Sequence, residues 1–317
     1  MSTGAAPVPY FTLNNGVKMP GVGKGCWLGP EGGLDIAEEM CRNALRVGYR
    51  HIDTAAGYKN EEQVGKAIRE SGIPREEIFV TTKLKMSDAH RVREAFEDSL
   101  KALDIGYIDL YLVHWPLVLT PDWSRTLSVE EHPNFVDVWA DMEKLLDTGN
   151  VRAIGISNFS IQHLETLLLH AKVVPVINQV EIHPYLPQHE LKAYCEAHGI
   201  LLTAYSPFGQ GNSLFFSDPD FAKIAETHQV TPAQVVISWL VQRGTPPVAK
   251  SANVDRMRAN ISLVELSSEE MHIIDDIHKK PGAHRGLVKY DATEGTAFGW
   301  TYEQLGWNRT KEGFVKD

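Results

Sequence analysis

The feature that most limits what this chain can fold into is an alternation: short apolar, β-rich runs trade places repeatedly with longer segments of helical periodicity. Eight runs read as strands: 22–25 (VGKG), 49–55 (YRHIDTA), 78–84 (IFVTTKL), 107–114 (YIDLYLVH), 151–157 (VRAIGIS), 175–182 (PVINQVEI), 200–206 (ILLTAYS) and 246–250 (PPVAK). The periodicity predicts helices over 35–47, 60–71, 88–103, 134–148, 160–171, 187–198, 231–243 and 268–279. Such alternation builds parallel β/α units, because parallel neighbours need a crossover long enough to return the chain. Eight units close into a (β/α)8 TIM barrel, so the 317 residues read as a single domain. Local signals agree. Ser160 and the Thr231-Pro232 pair have the chemistry of helix starts, and Gly48, Gly149 and Gly199 fall where a helix end wants a left-handed residue. The segment 9–20, with its Asn15-Gly16 turn, predicts a β-hairpin ahead of the barrel, and 280–317 an aromatic C-terminal tail.

The rival architecture is a doubly wound sheet with a dinucleotide-binding glycine loop, prompted by Gly21, Gly23 and Gly25. The spacing fails at Cys26, where a third glycine is required, and no acidic residue closes a second strand as ribose binding demands. The glycines are read instead as a tight strand end. A formal charge of -10, from 41 acidic and 31 basic residues without long runs, argues against nucleic acid or an anionic membrane as a partner. The three cysteines, Cys26, Cys41 and Cys195, show no paired spacing and so no disulfide framework or zinc ribbon. The start of the chain lacks the pattern of a secretory signal, and its most apolar stretch, 108–120, is too short to span a bilayer. The expectation is a cytoplasmic protein acting on a small molecule, as a monomer or weak oligomer, without a metal.

In such a barrel the chemistry lies at the C-terminal ends of the strands. Taken strand by strand these ends present Asp53 and Tyr58, Lys83, His114, Ser157 and Asn158, Gln179, Tyr205 and Ser206, then Lys250 and Ser251. Any one of them alone has an ordinary structural explanation, such as a turn, a half-buried aromatic or a satisfied core histidine. Their joint arrival at successive strand ends points to a proton-transfer group. A phenol with an ordinary pKa of about 10 is a slow acid at neutral pH, and a neighbouring ammonium lowers it. Lys83 is the candidate cation, Asp53 its counter-ion, Tyr58 the general acid and His114 the group that orients a carbonyl oxygen.

The stretches 48–68 (GYRHIDTAAGYKNEEQVGKAI), 78–84, 110–116 (LYLVHWP), 153–159 (AIGISNF), 178–185 (NQVEIHPY), 204–209 (AYSPFG) and 249–260 (AKSANVDRMRAN) together resemble the signature segments of the aldo-keto reductase family. The resemblance runs from about residue 10 to residue 280, and it implies an NADP(H)-dependent reductase of aldehydes and ketones. It places the family's catalytic tetrad on Asp53, Tyr58, Lys83 and His114. It further implies that Ser157, Asn158 and Gln179 hold the nicotinamide amide, that Tyr205 stacks on the ring, and that Asp53 and Trp27 border the cofactor. The segment Ser206 to Gly209 would pass along the pyrophosphate, with Phe208 where leucine is common. Lys250, Ser251, Asn253 and Arg256 resemble a 2′-phosphate grip, which suits NADP(H). Asn260 matches an adenine contact, while Ala259 departs from a common acidic neighbour. For substrate, Trp27, Tyr58, His114 and Trp115 are candidate contacts, with Trp123 and the tail's Phe298, Trp300, Tyr302 and Trp307 as further walls. Lys85, two residues beyond Lys83 and so on the same side of its strand, predicts a more polar pocket suited to small polar or anionic carbonyl compounds. Two other functions fit the same residues: a polyol or glycerol dehydrogenase running in the oxidative direction, and a cofactor-binding regulatory subunit without catalysis.

Overall fold

The computed structural model describes residues 7–211, 214–290 and 295–316, so the ends of the expected domain (1–6 and 317) and part of the expected tail (291–294) lie outside the described residues. A short antiparallel ribbon comes first, β1 (Tyr10–Thr12) paired with β2 (Lys18–Pro20) around Gly16 in the left-handed region. The expected hairpin is present. Then follow β3 (Gly23–Gly25), α1 (Leu34–Val47), β4 (His51–Asp53), α2 (Glu61–Arg69), β5 (Phe79–Leu84), α3 (Val92–Leu103), β6 (Ile108–Val113), α4 (Phe135–Leu145), β7 (Val151–Ser157), α5 (Ile161–Leu168), β8 (Ile177–Glu181), α6 (His189–Ala197) and β9 (Leu201–Tyr205). The chain continues through α7 (Pro219–Thr227), α8 (Pro232–Gln242), β10 (Pro247–Ala249), α9 (Val254–Asn260) and α10 (Ser268–Asp276) to the tail ribbon β11 (Thr296–Ala297) and β12 (Trp300–Thr301).

Strands β3 to β10 are all parallel and close on themselves, β10 pairing with both β9 and β3. Closure settles the question left by the N-terminal glycines: Gly23 and Gly25 are in the first barrel strand itself, and Gly21 in the bend that leads into it, rather than in a phosphate loop. A side chain at Gly23 would sit 2.7 Å from both His51 Nδ1 and Val248 Cγ1, so only glycine lets three neighbouring strands meet there. Ser160 caps α5 by accepting from the His163 N–H, and Thr231 forms a capping box with Gln234 at the start of α8. Gly48, Gly149 and Gly199 all have positive φ.

Two helices went unread in the sequence. α7 starts at an Asp218 cap followed by Pro219, a signal that was legible. α9 is only seven residues long and starts at Asn253, whose side chain accepts from the Arg256 N–H. The helix expected from residue 88 begins instead at Val92, after a 3-10 turn over Met86–Asp88.

The main core lies between the strands' outer faces and the helices. A second apolar cluster, Leu13 and Met19 from the hairpin with Phe79, Leu110, Leu112, Ala153, Val176 and Ile177, fills the barrel's N-terminal end. The hairpin is therefore a stopper for the barrel floor, and the polar strand ends gather at the opposite end. Among the described residues no helix is long and apolar enough to cross a membrane.

Candidate active site

Four elements deliver the expected proton-transfer group to one place. Lys83, the fifth residue of β5, is fully buried, and its Nζ donates to Asp53 Oδ1 at 2.5 Å and to the Thr54 carbonyl at 3.0 Å. It also reaches the Tyr58 hydroxyl at 3.5 Å. Tyr58 closes the 3-10 turn Ala56–Tyr58 that follows β4, and its ring meets His114 edge-on at a centroid separation of 5.7 Å and Trp27 at 5.1 Å. The second Asp53 oxygen accepts from Gln179 Nε2 at 2.8 Å. Each Asp53 oxygen thus has a donor, and the two together orient the carboxylate.

The electrostatics refine one expectation. Burial, which outweighs the opposing charge of Lys83, raises the Tyr58 phenol above its ordinary value, so the ammonium moderates the shift without reversing it. The expected net lowering is not found, and Tyr58 is held as the protonated phenol at neutral pH. Burial alone would depress Lys83, but Asp53 and then Tyr58 keep it charged and above its ordinary value. His114 is driven well below the usual imidazole range by burial and then by Lys83, and is therefore a neutral hydrogen-bonding group.

Beside this group a cradle of hydroxyl and amide groups lines the ends of β7, β8 and β9. Ser157 Oγ donates to the Gln179 carbonyl at 2.7 Å, and Asn158 Nδ2 donates to the His114 carbonyl at 2.9 Å. Asn158 sits at φ 67, a left-handed conformation that asparagine tolerates better than most residues. The Tyr205 hydroxyl donates to Asn158 Oδ1 at 2.8 Å and also contacts the Tyr290 hydroxyl at 2.7 Å. Since Tyr205 has one proton to give, Tyr290 must be the donor in that second bond. A tail residue is thus wired through Tyr205 and Asn158 to the backbone of His114.

The expected phosphate grip lies at the end of β10. Lys250 and Arg256 are exposed, and neither pairs with a carboxylate among the described residues; Ser251 is buried, with its hydroxyl on the Asn253 carbonyl. Asn253 is partly committed to capping α9. Two unpaired cations with a neighbouring hydroxyl fit a phosphate dianion. Asn260 is buried and hydrogen-bonded to Tyr49. Ser206 (φ 49) and Gly209 (φ 61) turn the chain after β9, with Phe208 between them, and Gly209 packs against Leu287 of the tail. The chemistry of these donors fits a dinucleotide carrying an extra phosphate.

Trp115 is buried and ringed by Tyr290, Phe298 and Trp307, whereas Trp27 stays 40% exposed at the mouth. Lys85 ends up half-buried at the rim, its Nζ 5.2 Å from the exposed Trp123 ring. Trp300 and Tyr302 belong to an apolar cluster that joins the tail to Met86, Trp115, Leu117 and Leu119. Sequence reasoning missed Tyr290 and Glu181. The first lay in an unpatterned tail; the second was legible as a carboxylate two residues past Gln179 on a buried strand. Among the described residues, no group of three or more His, Cys, Asp or Glu side chains has the arrangement to hold a metal ion.

A model of the aldo/keto reductase family matches residues 34–279. The chain is 44% identical over 292 residues to a glycerol 2-dehydrogenase (NADP(+)) of Saccharomyces cerevisiae, covering 87% of this chain and 92% of the relative. It is 39% identical to a D-galacturonate reductase of Hypocrea jecorina, with 88% and 94% covered. A crystal structure of a Bombyx mori aldo-keto reductase in complex with NADP superposes with a TM-score of 0.81 at 34% identity, over 90% of this chain and 96% of the other.

Proposed function

Because the chain belongs to the aldo/keto reductase family, we propose that it reduces the carbonyl of a small aldehyde or ketone to an alcohol with NADPH, Tyr58 delivering the proton. The observation that carries this reading is the convergence of Asp53, Tyr58, Lys83 and His114 in one contact group at the barrel mouth. NADPH, when bound, supplies the hydride. The neutral imidazole of His114 and the Tyr58 hydroxyl together fix the carbonyl oxygen, and as negative charge develops there the Tyr58 proton moves onto it. Lys83, held charged by Asp53, stabilises the phenolate left behind. Ser157, Asn158, Gln179 and Tyr205 form the nicotinamide cradle, and Trp27 borders it. A panel of small aldehydes and ketones followed by loss of NADPH absorbance tests the proposal, and no turnover with any of them would overturn it. The reverse oxidation of a polyol runs through the same groups, with Tyr58 as phenolate accepting the proton; the likeness to a glycerol 2-dehydrogenase favours including glycerol in the assay. The proposed setting is the cytoplasm, as a monomer or weak oligomer, which sedimentation of the purified protein checks.

The unpaired Lys250 and Arg256 give NADPH a preference over NADH of roughly ten-fold or more, the scale of one lost charge-assisted phosphate contact. Lys250→Met combined with Arg256→Ala is expected to erase most of it, by raising the KM for NADPH while leaving that for NADH in place. Equal use of both cofactors by the wild type would show that the two cations serve something else.

For substrate, the half-buried Lys85 at the rim favours small anionic or polyhydroxylated carbonyl compounds, in keeping with the likeness to a D-galacturonate reductase. Lys85→Met should lower kcat/KM for a uronate by about ten-fold and leave a neutral aromatic aldehyde unchanged. Equal effects on both substrates would remove Lys85 from the pocket.

A further inference from the structure

The tail crosses the barrel mouth, and its hold on the barrel centres on one carboxylate. Glu181 ends β8, two residues past Gln179 and therefore on the same side of the strand, yet it takes no part in the proton-transfer group. It is buried, and Oε1 accepts from the backbone N–H of Leu287 at 2.6 Å and of Val288 at 2.9 Å, and from His183 Nε2 at 3.0 Å. Its other oxygen pairs with Arg309 at 3.3 Å. The two tail segments it grips are more than twenty residues apart in sequence. Arg309 comes from the return of the tail, and its guanidinium lies over Trp307 at 4.6 Å. The approach is so close that a Cβ at Gly286 would fall 2.3 Å from Arg309 Nη1 and 3.0 Å from Glu181 Oε2.

What the clamp holds in place matters for the site. Leu287, gripped through its N–H, packs on Gly209 of the segment after β9. Two residues beyond the second gripped amide stands Tyr290, which donates to Tyr205 and packs edge-on against Trp115 at 5.1 Å. Trp307, two residues before Arg309, completes that wall. A carboxylate buried with four donors is expensive unless every contact is kept, which makes the tail's position sharply defined rather than one of several.

We propose that Glu181 is a specificity-determining positioning residue, which seats Tyr290 and Trp307 as the outer wall of the substrate pocket and touches neither substrate nor cofactor itself. This rests on reading Tyr205 as part of the nicotinamide cradle. Burial alone would raise the Glu181 carboxyl, but the His183 hydrogen bond and then the Arg309 charge bring it down to about 2, so the clamp is ionised throughout the neutral range.

Glu181→Gln keeps the shape and removes the charge. The expected result is a substrate KM raised by about ten-fold, with kcat and the Kd for NADPH, followed by tryptophan quenching, each within about three-fold of wild type. Hydrogen exchange at the Leu287 and Val288 amides should accelerate by at least ten-fold, a readout that needs no turnover at all. Tyr290→Phe should raise KM in the same way, and the double variant should be no worse than the worse single one, since both act through one wall. Unchanged KM in Glu181→Gln, additive KM effects, or a fall in kcat and melting temperature with KM intact would overturn the proposal and leave Glu181 a purely structural anchor. If Glu181→Gln does not fold, Tyr290→Phe decides: a raised KM supports the wall and an unchanged KM overturns it. Accelerated exchange in Glu181→Gln, combined with a wild type that turns over no carbonyl compound, would locate the failure in the functional reading instead of in the clamp.

Discussion

Tyr58→Phe is expected to lower carbonyl reduction by roughly a hundred-fold or more while the Kd for NADPH stays within about two-fold of wild type. The substitution removes one oxygen from a ring whose packing against Trp27 and His114 is otherwise kept, so the site should survive intact. No other group among the described residues is placed to take over. His114 is held neutral far below its usual titration range, and Lys83 is committed to Asp53 and Thr54. Residual activity above about a tenth of wild type would mean that the proton comes from elsewhere. The pH profile adds a sign. Reduction needs Tyr58 protonated, and its value is raised by burial against the pull of Lys83, so kcat/KM should stay flat through neutrality and fall only on the alkaline side, above the ordinary phenol value of about 10. An alkaline fall centred near neutrality would contradict the buried-phenol picture.

Asp53→Ala is expected to cost about 3–5 kcal/mol of stability along with most of the activity, because it strands the buried ammonium of Lys83 with one backbone carbonyl and a distant phenol. Gln179 loses its acceptor at the same time. Thermal unfolding should begin roughly 5–8 °C lower. The informative partner is the double variant Asp53→Leu with Lys83→Met, which removes both charges: stability should return to near the wild type while turnover does not. That split separates holding the barrel together from holding a proton donor ready. Wild-type melting in Asp53→Ala would show that Lys83 finds another counter-ion or leaves the interior.

Much of this arrangement was legible beforehand because strand ends in a parallel barrel announce themselves: a polar residue closing an apolar run has few structural reasons to be there. Asp53, Lys83, His114 and Gln179 were found on that ground, and the motifs sharpened their roles. The direction of the Tyr58 shift was not legible, since it depends on how deeply the ring sinks against Trp27, a tertiary quantity. Nor was α9 visible, as seven residues are too few to show a period and its cap, Asn253, had been read only as a phosphate ligand. Glu181 was passed over for a different reason. Its place on a buried strand was legible, and so was His183 two residues on, but its other partners are two backbone amides and an arginine over a hundred residues away, and no local pattern records contacts of that span.

The hairpin that stoppers the barrel floor has a consequence for traffic. With Leu13 and Met19 packed onto Phe79, Leu110 and Leu112, the base is filled by apolar side chains, while the polar strand ends and the 40% exposed Trp27 lie at the other end. The barrel is a vessel whose base is fixed by packing and whose chemistry is all at the far end. Changes to the floor should therefore alter how long the vessel lasts and not who passes through it.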